Sequence, residues 1–295
     1  HFNLGNIFKA LSKLTDAEAS FRRATVIKPD YAEAYTNLGV VLKEQGKFGD
    51  AQASCKRAIE INPGIAESHS NLGLIFFERD SIVEAIECFA KAVELKPEEK
   101  EFHSNLAIAL SNYNAQSFST DLEKMYIRVL DQISICRPQD LARSIIVHLK
   151  HNEVIREALV SLDKKPHPHA VVKYSLLLSE IPSLLKIIEL CPIPDLEFEA
   201  LFIKLRCALL LEQPKISCSE KLLRFQTALA LHCFTNEFIF QETAQETFAV
   251  EMLESHIETS FSKGRNFSYY EIACLASYRS LEGYAWAENI EPPSV

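Results

Sequence analysis

Written in rows of 34 residues, the first third of the chain aligns with itself without gaps, and this period constrains the fold more than any other feature. Asn3-Leu4-Gly5 returns as Asn37-Leu38-Gly39, as Asn71-Leu72-Gly73 and, with alanine for glycine, as Asn105-Leu106-Ala107. Further along each row Ala17, Ala51 and Ala85 fall in register, then Phe21, Cys55 and Phe89, then Ala24, Ala58 and Ala92, and last Pro29, Pro63 and Pro97. Apolar residues three and four apart within each row predict two antiparallel helices per unit, A and B, with glycine and alanine where the pair crosses closely. Gly46 permits the turn between the helices of the second unit, whereas Asp80 must make the same turn in the third with a less permissive backbone. Each proline is expected to end one unit and open the next, because it cannot continue a helix but is tolerated in a first turn.

These motifs resemble the tetratricopeptide repeat. The resemblance implies stacked helix pairs sharing one core, curved into a superhelix whose concave face is built from the A helices and binds extended peptides or helices. Asn3, Asn37, Asn71 and Asn105 then form a ladder along that face, similar to the asparagine ladder of the O-linked N-acetylglucosamine transferase superhelix. A side-chain amide offers both donor and acceptor and can hold a peptide backbone without reading its sequence. Local packing and hydrogen bonding within the repeats account for the same asparagines equally well. Val40, Lys43, Leu74 and Phe77 stand beside the ladder and would make the groove partly apolar. No set of lysines and asparagines resembles the carboxylate clamp of chaperone-binding members. His1, His69 and His103 also recur at one repeat position, a full repeat apart, and read as packing residues rather than metal ligands. The first row starts partway into an A helix, so further repeats are expected upstream.

Composition narrows the remaining classes. Six of the eight glycines lie between Gly5 and Gly73 and the last two at Gly264 and Gly283, without the clustering that a phosphate-cradling loop needs. A net charge of −9 argues against a sequence-independent nucleic-acid binder. The eight cysteines form no C-x-x-C pair and sit mostly within apolar helical patterns, which reads as reduced, buried thiols in a cytoplasmic protein. No apolar stretch reaches the roughly 18 residues of a membrane span.

Beyond Asn112 the register dissolves but helical patterning continues. Thr120 to Ile135 is expected as the B helix of a degenerate fourth unit, and Pro138 opens a helix through Leu149. Lys164 to His169, with two prolines, reads as a loop and a domain boundary. The histidines 148, 151, 167 and 169 form two pairs without an evident third ligand, and solvated side chains explain them best. Ser217-x-x-Glu220, Thr243-x-x-Glu246 and Ser268-x-x-Glu271 are capping-box patterns. With Asp195 they place helices near 195–212, 217–235, 243–262 and 268–281. Between Arg224 and Lys263 the acids Glu237, Glu242, Glu246, Glu251, Glu254 and Glu258 meet no lysine or arginine along the chain, which fits a solvated face or an acidic docking surface. The chain is therefore read as all-α: a repeat superhelix over 1–112, a degenerate helical continuation over 113–166, and an irregular α-helical connector or regulatory domain over 167–295.

A second resemblance covers about Arg137 to Trp286. The strings Arg137-Pro138-Gln139-Asp140-Leu141-Ala142, Phe225-Gln226-Thr227-Ala228-Leu229-Ala230-Leu231-His232-Cys233-Phe234 and Leu275-Ala276-Ser277-Tyr278-Arg279-Ser280-Leu281 are similar to bacterial proteins that join tetratricopeptide repeats to an S-adenosylmethionine-dependent methyltransferase domain. It implies a helical connector, with the cofactor S-adenosylmethionine expected only in a domain beyond Val295 and no catalytic or metal-binding residue in this chain. Two functions then compete. In one the repeats recruit a peptide or protein for an attached methyltransferase; in the other the chain is a free-standing scaffold or adaptor without enzymatic activity. Neither expectation includes nucleic acid or a membrane as partner, and neither fixes the oligomeric state.

Overall fold

A computed structural model describes residues 1–162, 168–213, 219–236, 241–265, 267–282 and 284–287. Among these the chain is all-α, and it divides into two compact units, His1–Tyr113 with Asp131–Arg137, and Asn114–Leu130 with Pro138–Val295. No helix among the described residues is long and apolar enough to cross a membrane.

The first unit contains α1 (Phe2–Ala10), α2 (Leu14–Ile27), α3 (Ala32–Glu44), α4 (Phe48–Ile61), α5 (Ala66–Glu78), α6 (Ile82–Leu95) and α7 (Lys100–Ser111). Each helix packs on the next in sequence, and the A helices α1, α3, α5 and α7 also touch one another in order, which is the stacking of helix-turn-helix repeats. Their shared core includes Ala17, Phe21, Leu38, Val41, Leu42, Ala51, Cys55, Leu72 and Ile75.

The crossings are close enough to explain the glycines. A Cβ on Gly5 would lie 2.7 Å from the Phe21 ring, one on Gly73 would lie 2.7 Å from the Phe89 ring, and one on Gly39 would overlap Cys55 Sγ. Ala107 replaces glycine only in α7, the last helix of this unit.

The A-to-B turns repeat as well. Ser12, Gly46 and Asp80 adopt φ of 56°, 73° and 61°. In each turn two hydrogen bonds close the helix end, as Lys47 N–H does on the Leu42 carbonyl at 2.9 Å and Gly46 N–H on the Lys43 carbonyl at 2.8 Å. The prolines behave differently from expectation. Pro29, Pro63 and Pro97 stand three positions before α3, α5 and α7 begin, outside the first turn. They act on the preceding residue instead, since Lys28, Asn62 and Lys96 leave the helical region with ψ of 92°, 97° and 81°.

The second unit comprises α8 (Thr120–Leu130), α9 (Pro138–Lys150), α10 (Glu153–Ser161), α11 (Pro168–Leu178), α12 (Pro182–Leu190), α13 (Leu196–Glu212), α14 (Glu220–Thr235), α15 (Ala244–Ser262) and α16 (Tyr269–Ala276). The 34-residue sequence register does not continue into it. The α8 helix packs on α12 and α9 within this unit, and so does not serve as the second helix of a fourth repeat. The cap signals locate the helix starts closely. Asp195 accepts from the Glu197 and Phe198 N–H groups, and both Thr243 with Glu246 and Ser268 with Glu271 form complete capping boxes. Ser219, rather than Ser217, caps α14, while Ser217 itself lies outside the described residues along with Glu237 and most of the 164–169 segment.

Polar groups organise this interior. Arg206 and Glu246, each 2% exposed, form an ion pair at 3.4 Å between α13 and α15. The Tyr278 hydroxyl donates to the same carboxylate at 2.7 Å, and the guanidinium lies 4.2 Å from the Tyr278 ring centroid. Burial pushes the Glu246 carboxyl up, but hydrogen bonds from Thr243 and Tyr278 and the Arg206 charge together hold it below the ordinary carboxylate value. Glu242 pairs with Arg279, and Glu254 accepts from the Tyr284 hydroxyl. The acids of this stretch therefore do not form one solvated face, because their partners come from α13 and from the segment after α16.

The histidines of α9 are corrected too. His148 is fully buried, stacked at 4.6 Å on Phe118, and accepts from the Ser119 N–H at 3.0 Å. His151 uses Nε2 on the Ala115 carbonyl at 3.0 Å. His148 thus fastens the 115–119 segment to α9 from inside, whereas His151, just beyond α9, is exposed and adds its bond at the surface.

Two expectations follow for stability. Gly73→Ala should destabilise the first unit by about 1–2 kcal/mol, as ring displacement outweighs the helix propensity gained, whereas Gly49→Ala, with nothing within 4 Å, should be neutral or stabilising by about 0.5 kcal/mol. Urea denaturation of the two variants checks the sign of each change. Arg206→Met should cost about 3 kcal/mol by stranding a buried carboxylate, and adding Glu246→Gln should recover part of that loss. Because the folded-state pKa of Glu246 is depressed, its contribution is present above the ordinary carboxylate range and disappears as pH falls through the folded value. Acid unfolding of Glu246→Gln should accordingly be shallower than that of the parent.

Candidate functional site

The crossing glycine of each A helix lies two residues after the ladder asparagine, so a turn of 100° per residue puts the two on nearly opposite sides of the helix. Burying Gly39 and Gly73 against the B helices therefore turns Asn37 and Asn71 outward. The exposure pattern follows: Gly5, Gly39 and Gly73 are buried, Asn37, Asn71 and Asn105 are half-buried, and Asn3, at the start of α1, is exposed. Val40 and Leu74 are half-buried three residues further along the same face. Lys43 and Phe77, also half-buried, come one turn later at its side.

The four asparagines share a register but not a bonding pattern. Asn37 donates through Nδ2 to Asn6 Oδ1 at 3.1 Å and accepts at Oδ1 from Lys9 Nζ at 3.2 Å, so it is tied to the preceding A helix through both ends of its amide. Asn105 donates to Ser70 Oγ at 3.3 Å. Asn71 makes no side-chain hydrogen bond among the described residues, and its neighbours explain why. Val40 stands at the repeat position of Asn6 and has nothing to bond with. Thr36 stands at the position of Ser70, but its hydroxyl is engaged with Ser68 Oγ at 2.6 Å and with the Ala32 carbonyl at 3.0 Å. A half-buried amide with both donors and its acceptor unused is thus left in the middle of the face.

Asn6 and Lys9 belong to this face and were not picked out from the sequence, although the 34-residue register marks them as the equivalents of Val40 and Lys43. The recurring histidines lie elsewhere. His69 and His103 place Nε2 on the carbonyls of Pro63 and Pro97, at 3.0 and 2.8 Å, and so tie each A helix to the linker before it.

The rest of the described structure offers little chemistry. No group of three or more metal-ligating side chains comes together among the described residues. Burial pushes the Cys55 thiol up to about 12 and those of Cys88, Cys191, Cys207 and Cys233 up to about 11, so none is poised as a nucleophilic thiolate. A cavity of about 570 Å³ between α14 and α16 is lined mainly by apolar groups, among them Leu231, Phe234, Tyr269 and Ile272.

Residues 5–46 match a family model described as TPR repeat, and residues 32–65 and 66–99 each match one described as tetratricopeptide repeat. The region 5–99 consists of tetratricopeptide repeats. These matches end at residue 99, and the resemblance of residues 137–286 to methyltransferase-linked regions gains no support from them. No curated protein matches the chain. Among solved structures, the first tetratricopeptide domain of Spaghetti (RPAP3), bound to the HSP90 peptide SRMEEVD, is 21% identical with a TM-score of 0.36, covering 37% of this chain and 86% of that one. An O-GlcNAc transferase mutant from Thermobaculum terrenum is 26% identical with a TM-score of 0.39, covering 45% of this chain and 25% of that one. A double mutant of MamA RS-1 is 21% identical with a TM-score of 0.39, covering 44% of this chain and 71% of that one.

Proposed function

We propose that the chain is a scaffold or adaptor whose tetratricopeptide A-helix face holds an extended segment of a partner protein. The observation that carries this reading is the unpaired Asn71 amide between two asparagines that are bonded within the repeats. That amide is open to solvent with both donors and its acceptor free, and a peptide backbone presents the matching acceptor and donor. Asn37 and Asn105 keep unused hydrogen-bonding capacity and extend the contact to either side. Val40, Leu74, Lys43 and Phe77 supply the flanking surface, and Asn3 with Asn6 and Lys9 continues it into the first repeat. A chain that recruited for an attached methyltransferase would use the same face; the adaptor reading requires only the repeats.

Peptides selected from a random display library against the full chain provide the test. Replacing Asn37, Asn71 and Asn105 together by alanine should leave far-UV circular dichroism unchanged and weaken selected peptides at least tenfold, given about 0.5–1.5 kcal/mol per hydrogen bond. Asn71→Ala alone should account for much of that loss with no cost in stability. Unchanged affinity in the triple variant would remove the ladder from recognition.

A further inference from the structure

The same face carries a charge pattern that names its partner. Along α3 the positions Glu33, Asn37, Val40 and Glu44 are spaced by four, three and four, and so form one stripe; along α5 the stripe is Glu67, Asn71, Leu74 and Glu78. Along α7 it is Glu101, Asn105 and Ile108. Exposure agrees with the spacing, since all five glutamates are exposed and the residues between them in α3 and α5 are half-buried. Eleven residues separate the outer glutamates of each stripe, about 16 Å at 1.5 Å per residue. The ladder and its aliphatic residues thus form a floor between two acidic rims.

The rim residues differ in what the fold itself asks of them. Glu33, Glu67 and Glu101 sit in first turns, where a carboxylate complements the helix dipole. Glu44 and Glu78 are the last residues of α3 and α5, the end at which the dipole disfavours negative charge. Among the described residues neither makes an ion pair or a side-chain hydrogen bond. Glu67 alone of the five pairs with a cation, Lys96. Besides Lys96, the face carries Lys9, which is bonded to Asn37, and Lys43. Five carboxylates against these three lysines leave the groove net negative, and two of those carboxylates stand where helix stability is lowered by them.

We infer that the groove takes an extended peptide in which lysine or arginine residues flank a small aliphatic side chain. This rests on the reading of the face as a peptide site: the Asn71 amide would hold the backbone, the aliphatic residue would lie on Val40 and Leu74, and the flanking cations would meet the two rims. Charge complementarity of this kind acts mainly on association and on the choice between partners.

The test uses the full chain and fluorescence anisotropy with a short labelled peptide in which lysines flank each valine, compared with its twin carrying glutamate for every lysine. The lysine peptide should bind at least about tenfold more tightly than its twin. Glu44→Gln with Glu78→Gln should weaken it roughly three- to tenfold, at about 0.2–1 kcal/mol per exposed pair, and should not lower thermal stability. Glu251→Gln with Glu258→Gln, on α15, should change nothing and so separates the groove from general attraction to an acidic protein. Equal binding of the twin, indifference to the Glu44 and Glu78 changes, or equal weakening by the α15 changes would each overturn the inference. Asn71→Ala in the same assay distinguishes the two levels. If it weakens the peptide while the Glu44 and Glu78 changes do not, the peptide site stands and its charge preference falls; if neither has an effect, both fall.

Discussion

Contact between an A-helix glycine and a B-helix side chain is the constraint on which the repeat region depends. The Phe21 and Phe89 rings and Cys55 Sγ occupy the space that a Cβ on Gly5, Gly73 or Gly39 would need. That contact sets the separation of the helices in each pair and also fixes the rotation of the A helix about its axis. With the glycine inward, the residue two positions earlier must face outward. The ladder is therefore a consequence of the core: a chain that satisfies the crossing every 34 residues presents the same outer stripe every 34 residues.

The second unit is held differently. Its helices are joined by polar groups far apart in sequence, such as Arg206 with Glu246 and Tyr278, or Gln226, which donates to Ser277 Oγ at 2.8 Å. A buried, hydrogen-bonded network adds modest net stability, because desolvation opposes most of its Coulomb energy, but any arrangement that leaves one member unpaired is strongly disfavoured. In a unit into which the 34-residue register does not extend, such a network can select one arrangement of α13, α15 and the segment after α16.

Legibility in the sequence follows the same division. In the repeat region every defining contact lies within about a row of its partner and recurs, so helix pairs, crossing glycines and the Asp80 turn are all readable from spacing. In the second unit the helix starts are readable because a cap is a contact between residues three apart, as with Thr243 and Glu246. What those helices pack against is not, since Arg206 and Glu246 are 40 residues apart and nothing local announces the pairing. Helix ends are poorly marked for a related reason. The α16 pattern continues to Leu281, yet the helix stops at Ala276, where the Ser277 hydroxyl donates to the Ala273 carbonyl at 3.0 Å and receives Gln226. His148 reads as a solvated residue in the sequence, and residues distant from it along the chain, Phe118, Ser119 and Tyr126, cover it.

The ladder shows how far identical residues at identical register can differ in role. Asn37, Asn71 and Asn105 are equivalent in the core geometry, but each faces a different pair of residues on the A helix before it: Asn6 and Phe2, then Val40 and Thr36, then Leu74 and Ser70. Whether an amide is satisfied inside the fold is decided by those neighbours rather than by the asparagine. Asn6 and Ser70 each accept a bond, whereas aliphatic Val40 has no acceptor and Thr36 is engaged with Ser68 and Ala32 instead. Substitution at the neighbouring positions thus tunes which rung is available for a partner without disturbing the crossing that holds the repeat together. A repeat protein can in this way keep one invariant scaffold and still vary, unit by unit, the bonding capacity it offers along its groove.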